Sequence, residues 1–348
     1  MTPGGRWRAV LVPTVLVALA AFAVLSGLTG WRMWRGLDVP GPLSAPKTIV
    51  IHRGTGLLAV GRDLKAAGII DDPAAFALYA RLFGLSPKAG QYRFPPAITS
   101  RRVLDELVAG RTLVHKLTVT EGMTVRQVLV LLDKADYLTG SVDPVPPEGS
   151  LLPQTWYLSW GESRESVIGR MQRAMRREVA RLWAARAPHL PLANPEQAVI
   201  LASIVERETA LPAERPHIAA VFENRLKNGM RLQSDPTVIY GLSGRLGVLD
   251  RPLTLDDLQT PTRWNTYVID GLPPTPICNP GKASLKAVLH PTDSRDLYFV
   301  ANGKGGHAFA RTLRQQDANV VRWRRIEAER SRPAIPGRSP RPQKRPSL

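Results

Sequence analysis

Hydrophobic and polar residues follow three regimes along this chain. The first is a continuous apolar run: from Ala9 to Trp31 there is no charged residue. As a helix that run is about 35 Å long at 1.5 Å per residue, enough to cross a bilayer core. Trp31 and Trp34 stand beside Arg32 and Arg35, where an interfacial aromatic belt belongs. Ala21-Phe22-Ala23 has the small-x-small form of a cleavage site but lies inside the run rather than after it. The pattern therefore predicts a single uncleaved transmembrane helix over 9–31, preceded by a short cytoplasmic tail, 1–8. A Pro/Gly-rich linker, 32–47, follows.

The second regime, over 48–140, alternates short strands with amphipathic helices. Ile49-Val50-Ile51, a turn at Gly54, and Leu57, Leu58, Val60 and Leu64 form one such unit. Leu117-Thr118-Val119, Gly122, and Val125, Val128, Leu129 and Leu132 repeat it weakly. Between them 73–84 reads as a helix with Asp72 as N-cap and Pro73 at the first position, and 90–94 reads as a strand.

The third regime, 145–330, is built on helical stripes, and its centre is the stretch Asn194 to Pro212. Asn194 suits an N-cap, Pro195 the first helical position, and Gln197 a capping-box-like spacing. Ile200, Leu201, Ile204 and Val205 fall on one side at helical spacing, and Pro212 forbids continuation. One step further along that stripe is Glu208, a carboxyl where another Leu is called for. A desolvated carboxyl has a raised pKa and serves as a proton donor near neutral pH. The plain alternative is a helix-end glutamate paired with Arg207 or Arg215. Glu206 points to the other side, with Ala198, Val199, Ala202 and Ser203, a face suited to close helix packing or solvent. A basic helix over 166–186, a second apolar-striped helix over 214–227 and a strand over 297–301 complete the pattern. The whole reads as an α+β protein with a larger mixed α/β domain following the small one.

The formal charge of +18 adds a constraint. Arg332, Arg338, Arg341, Lys344 and Arg345 contribute part of it, in a Pro/Arg/Ser tail, 331–348, that has too few apolar residues to bury and is expected to be disordered. The rest is spread over the folded part. Such a balance permits nucleic acid, anionic lipid or an acidic polymer as partner. The anchor removes nucleic acid, because the short N-terminal tail stays inside while the large C-terminal portion faces the extracytoplasmic space. Cys278 is the sole cysteine, so no intrachain disulfide forms, and no Cys/His cluster or Gly-rich phosphate loop offers a metal or nucleotide site. No cofactor is expected.

Several blocks carry a family likeness: EGSLLPQTWY, ASIVERET, FENRLKNGMRLQSDPTVIYGL, WNTY, GLPPTPICNPG and LYFVANGKGGHAF, behind one N-terminal anchor. In this order they resemble the YceG-like endolytic murein transglycosylases of bacteria, and the 48–140 region resembles a degenerate LysM-like peptidoglycan-binding module. Gln154 and Trp264 depart from the family's usual acidic residue and Tyr. The resemblance implies an inner-membrane lyase that cuts nascent peptidoglycan between muramic acid and glucosamine. The products carry 1,6-anhydro ends, and penicillin-binding synthases are the implied partners. It places the catalytic acid at Glu208. Gln233, Asp235, Tyr240, Asn265, Thr266, Tyr267 and His307 are candidates to line a sugar cleft by hydrogen bonding and ring stacking; turn chemistry at Asp235-Pro236 and a buried loop bond at His307 are their structural alternatives. A non-catalytic wall-binding scaffold for the synthases accounts for the anchor and charge equally well, and differs in not needing Glu208 ionisable in a cleft.

Overall fold

The computed structural model describes residues 5–330, except for the side chains of 5–15, 18, 29, 32 and 33. Residues 1–4 of the expected cytoplasmic tail and the whole basic tail, 331–348, lie outside the described residues. The described chain is a mixed α+β protein of two compact units: the first is 5–117 with 135–140 and 156–163, the second 118–134 with 141–155 and 164–330.

The first unit begins with α1 (Gly5–Asp38), one helix that runs past the apolar stretch into the Pro/Gly-rich segment. Among the described residues no helix is long and apolar enough to cross a membrane. The C-terminal end of α1 is held by ring packing. Trp34 meets Tyr79 edge-on at 5.5 Å and Phe83 at 5.9 Å, and Arg101 donates to both oxygens of Asp38 at 2.5 and 2.9 Å. β1 (Lys47–Ile51), α2 (Leu57–Ala66), α3 (Pro73–Leu82) and β2 (Gly90–Phe94) follow, with β1 and β2 antiparallel and Ile49 opposite Tyr92. α3 starts where Asp72 accepts from the N–H groups of Ala74 and Ala75 at 2.9 Å, with Pro73 at its first turn. Leu64, Phe76, Tyr92, Phe94, Leu104 and Leu107 form its core. α4 (Ser100–Ala109) ends on Gly110, whose φ of 72° is the left-handed conformation a helix stop requires. β3 (Val114–Thr118) pairs with β5 (Thr155–Ser159), and the short β4 (Leu138–Thr139) runs parallel to β6 (Glu162–Ser163).

The second unit is a helical assembly with one hairpin. α5 (Val125–Asp133) opens with a full capping box, Thr124 and Gln127 satisfying each other's backbone. α6 (Arg164–Ala184) is the basic helix. α7 (Pro195–Glu208) is central: it packs against α6, α8 (Arg215–Lys227), α9 (Asp235–Leu242) and α11 (Lys282–Leu289). Its apolar stripe is buried as expected, but so are Ala198, Ala202 and Ser203 on the opposite side. That small-residue face admits other backbone closely: Ser203 Oγ accepts from the N–H of Ile277 at 3.0 Å, and Cys278 lies buried against the same turn. The mixed polar and apolar stretch after Leu232 turns out to be a helix, α9, started by Asp235 and Pro236. α10 (Leu255–Gln259) is short, and β7 (Tyr298–Ala301) and β8 (His307–Ala310) form an antiparallel hairpin before α12 (Leu313–Arg330).

Candidate active site

Glu208 is the last residue of α7, and its position follows from how that helix begins and ends. Asn194 accepts from the N–H of Gln197 at 2.9 Å and fixes the start. At the other end Thr209 leaves the helix in an extended conformation, φ −140° and ψ 135°, and its hydroxyl accepts from Leu211 N–H at 3.0 Å. The carboxyl therefore sits at the negative end of the helix dipole, which disfavours its ionised form. Glu208 is half-buried. Burial is the main influence and raises its pKa from 4.5 to about 7; the neighbouring Asp235 charge also raises it, while a hydrogen bond from Ser234 and the Arg225 charge act in the opposite sense. The result is a carboxyl that can both give and take a proton near neutrality.

Ser234 is the closest polar partner, its hydroxyl donating to Glu208 Oε1 in a short hydrogen bond. The hydroxyl is aimed by the backbone around it. Ser234 is fully buried; its N–H donates to Thr266 Oγ1 at 2.9 Å, and its carbonyl accepts from Thr237 Oγ1 at 2.6 Å. Thr237 and Thr266 hydroxyls meet at 2.9 Å, closing a small polar network. Gln233, just before, adopts a left-handed φ of 53°, unusual for a non-glycine residue. Its Oε1 accepts from Arg225 at 3.2 Å, and Arg225 also donates to the carbonyls of Leu232 and Leu297 at 2.9 and 2.6 Å. Arg225 is thus a buried strut that ties this loop to β7.

The other residues singled out in the sequence divide by place. Asp235 is exposed at the start of α9; its Oδ1 accepts from the Tyr267 hydroxyl at 2.6 Å, and its charge acts on Glu208. Burial, together with the Asp235 charge, raises the Tyr267 phenol so that it stays protonated. Asn265 and Thr266 are fully buried. Asn265 donates to the carbonyls of Leu258 and Thr260 at 3.0 and 2.8 Å and accepts from Tyr267 N–H at 2.9 Å, so it shapes the loop that presents Tyr267. His307 stands against Glu214, Nδ1 to Oε2 at 2.7 Å, and Glu214 also takes a hydrogen bond from Thr209. Burial raises the Glu214 carboxyl, but the His307 and Thr209 bonds together outweigh it and hold the group below its usual value. This places His307 one partner removed from the C-terminal turn of α7. Tyr240 is elsewhere: its hydroxyl donates to Glu148 Oε2 at 3.0 Å and its ring packs edge-on to Trp264 at 5.4 Å.

Glu206 has a different environment from Glu208. Its Oε1 accepts from Arg215 Nη2 at 2.9 Å and its Oε2 from Gly281 N–H at 2.8 Å, with the side chain only 4% exposed. A fixed, paired carboxylate of this kind joins α7 to α8 and α11. Ser234, Arg225 and Glu214 did not stand out in the sequence. The nearest signal was adjacency, since Gln233 and Asp235 flank Ser234, and a lone serine in a polar run carries no periodicity.

Comparison with known proteins places the chain in a family. The model of the YceG-like family matches residues 49–322. The endolytic murein transglycosylase of Bacillus subtilis is 30% identical over 302 residues, covering 77% of this chain and 82% of the relative. An endolytic murein transglycosylase of Streptococcus pneumoniae is 26% identical over 323 residues, covering 79% of this chain but 58% of the longer relative. A crystal structure of a yceG-like protein from Listeria monocytogenes, 28% identical, covers 78% of this chain and 98% of its own with a TM-score of 0.49. Matched by the family model over most of its length, the chain belongs to the YceG-like family.

Proposed function

We propose that this protein is a membrane-anchored lytic transglycosylase that cleaves peptidoglycan strands with Glu208 as its acid and then its base. The observation that carries the reading is the half-buried Glu208 carboxyl at the end of α7, raised to about 7 and held by Ser234. The protonated carboxyl gives its proton to the oxygen bridging muramic acid C1 and the next glucosamine, and that C1–O bond breaks. The carboxylate then takes the proton of the same muramic acid's C6 hydroxyl as O6 bonds to C1. No water is consumed, and one residue serves both steps. Asp235 supplies negative charge beside the positively charged sugar ring of the transition state, and Tyr267 keeps that carboxylate in place. Murein as the substrate is supported by the names of the relatives in Bacillus and Streptococcus.

Anchoring is supported by α1. Leu16, Val17, Phe22, Val24 and Leu25 are each at least 60% exposed, so the described part of the helix presents apolar side chains to its surroundings on every side. Positions 16–31 alone are short for a bilayer; with the apolar residues from Ala9 the run reaches the needed length. The strand–helix–helix–strand order of β1, α2, α3 and β2 supports reading the first unit as a LysM-like wall-binding module. The catalytic portion then faces the extracytoplasmic side, next to the synthases whose strands it cuts.

The test is product analysis with the full chain in detergent and uncrosslinked glycan strands. The wild type is expected to give fragments ending in anhydromuramic acid, and Glu208→Gln to bind strands but leave them intact. Cleavage by Glu208→Gln at the wild-type rate would overturn the assignment. Strand binding without cleavage by the wild type would leave a wall-binding scaffold.

A further inference from the structure

The other end of α7 borders a cavity of about 890 Å³ that the chemistry above does not use. Its polar lining includes Glu148, whose two oxygens are engaged by Val125 N–H at 2.8 Å and Tyr240 OH at 3.0 Å. Burial raises that carboxyl to about 6. Ser150 lines the same space with its hydroxyl buried and without a hydrogen-bond partner among the described residues. The walls are apolar, with Pro147, Val199 and Pro276 among them. Arg176, Arg245 and Arg263 border it, all three exposed, and none is in a salt bridge among the described residues. Arg245 is held there by the turn that ends α9: its φ is 70°, its N–H donates to the Tyr240 carbonyl at 3.2 Å, and its guanidinium lies 5.3 Å from the centre of the Trp264 ring. Trp264 is itself fixed, its indole N–H donating to Thr275 at 2.9 Å.

Three guanidiniums with no salt bridge among the described residues, around an apolar space with Glu148 and Glu196 on the same lining, suit a short ligand that carries several carboxylates, an ammonium group and small methyl side chains. We propose that this cavity binds the peptide stem borne by a muramic acid residue of the substrate strand, its carboxylates on Arg245 and Arg263 and its ammonium on Glu196. This assignment rests on the murein reading above. Glu196 and Val199 lie twelve and nine residues before Glu208 on the same helix. That is about 14 to 18 Å at 1.5 Å per residue, more than one sugar ring. The peptide held here therefore belongs to a sugar some way along the strand from the bond being cut. It acts as a distant hold on the strand and makes the enzyme select strands that still carry their peptides.

The experiment uses the full chain in detergent. A free stem tetrapeptide of the alanine–glutamate–diamino acid–alanine type is titrated calorimetrically into Glu208→Gln and into the same variant carrying Arg245→Ala and Arg263→Ala. Saturable binding that weakens at least tenfold with the arginine changes is expected. On strands, the wild type should cleave peptide-bearing glycan faster than glycan stripped of peptides by an amidase. Arg245→Ala/Arg263→Ala should lose that preference through KM while still cutting stripped strands. Absent peptide binding, equal binding by the arginine variant, or stripped strands bound as tightly as intact ones would overturn the assignment, the last pointing to the strand itself, its sugar or the lactyl carboxylate that the amidase exposes. Loss of peptide binding with cleavage intact removes this inference alone. Peptide binding without any cleavage removes the catalytic reading alone.

Discussion

Replacing Ser234 by alanine isolates the tuning of the proposed acid. The Ser234 hydroxyl donates to Glu208 Oε1 and favours the ionised carboxylate against the burial that raises its pKa to about 7. A hydrogen bond to a charged group contributes roughly 1.5–3 kcal/mol, and one pH unit corresponds to about 1.36 kcal/mol. Without the hydroxyl, Glu208 should titrate about 1–2 pH units higher. The proton-donating form of the free enzyme then persists to higher pH, so the alkaline limb of kcat/KM should move up by that amount. The donor also becomes a weaker acid, so the plateau rate should drop by about tenfold or less. The assay is anhydro-product release from purified strands across about pH 5–9, with thermal melts at each pH to confirm folding. An alkaline limb that stays in place, or moves down, would refute the reasoning. Glu223→Gln serves as control, since it should leave that limb unchanged.

Glu223 itself predicts a stability effect. It is 1% exposed, one carboxyl oxygen has no hydrogen-bond partner, and burial raises it to about 8. A raised acid stabilises the fold fully below its unfolded pKa near 4.5, and that contribution is lost as pH climbs toward 8. The loss is on the order of 4 kcal/mol, so Tm should fall between pH 5 and 8, and Glu223→Gln should flatten the fall; a Tm that rises over this interval contradicts it. Arg215→Ala leaves Glu206 buried and unpaired and should cost about 3–5 kcal/mol in denaturant unfolding; Glu206→Gln should cost less and leave activity per folded molecule within a few-fold. Tyr267→Phe removes the 2.6 Å hydrogen bond to Asp235 and should lower kcat by about tenfold or more with Tm little changed; an unchanged kcat would take Asp235 and Tyr267 out of the chemistry.

The sequence made some of this visible because local chemistry decides it. The Asn194-Pro195 start of α7, the Asp72-Pro73 start of α3 and the stripe leading to Glu208 are short-range signals, and the structure follows them. Burial on the far side of α7 was less legible. Ala198, Ala202 and Ser203 form a face suited to close packing or to solvent, and the approach of the Ile277–Cys278 segment, over seventy positions later, decides for the interior. Ser234 was missed for the same reason: what aims its hydroxyl is Thr266, thirty-two positions away in sequence. Asn265 and Thr266 looked like cleft residues because polar side chains near an aromatic suggest sugar contact. Their hydrogen bonds are turned inward, to the loop they hold. Tyr240 was a candidate for the same cleft as Asp235, by hydrogen bonding and ring stacking, yet five residues of α9 carry it to the Glu148 cavity instead.

The central claim is that Glu208 drives an intramolecular closure and not an attack by water. It is tested most directly by digesting strands in water enriched in heavy oxygen and weighing the new muramic acid ends at the earliest measurable times. The account predicts ends lighter than the reducing sugar by one water and free of heavy oxygen, absent altogether with Glu208→Gln. New reducing ends that carry heavy oxygen from the first turnover would contradict it.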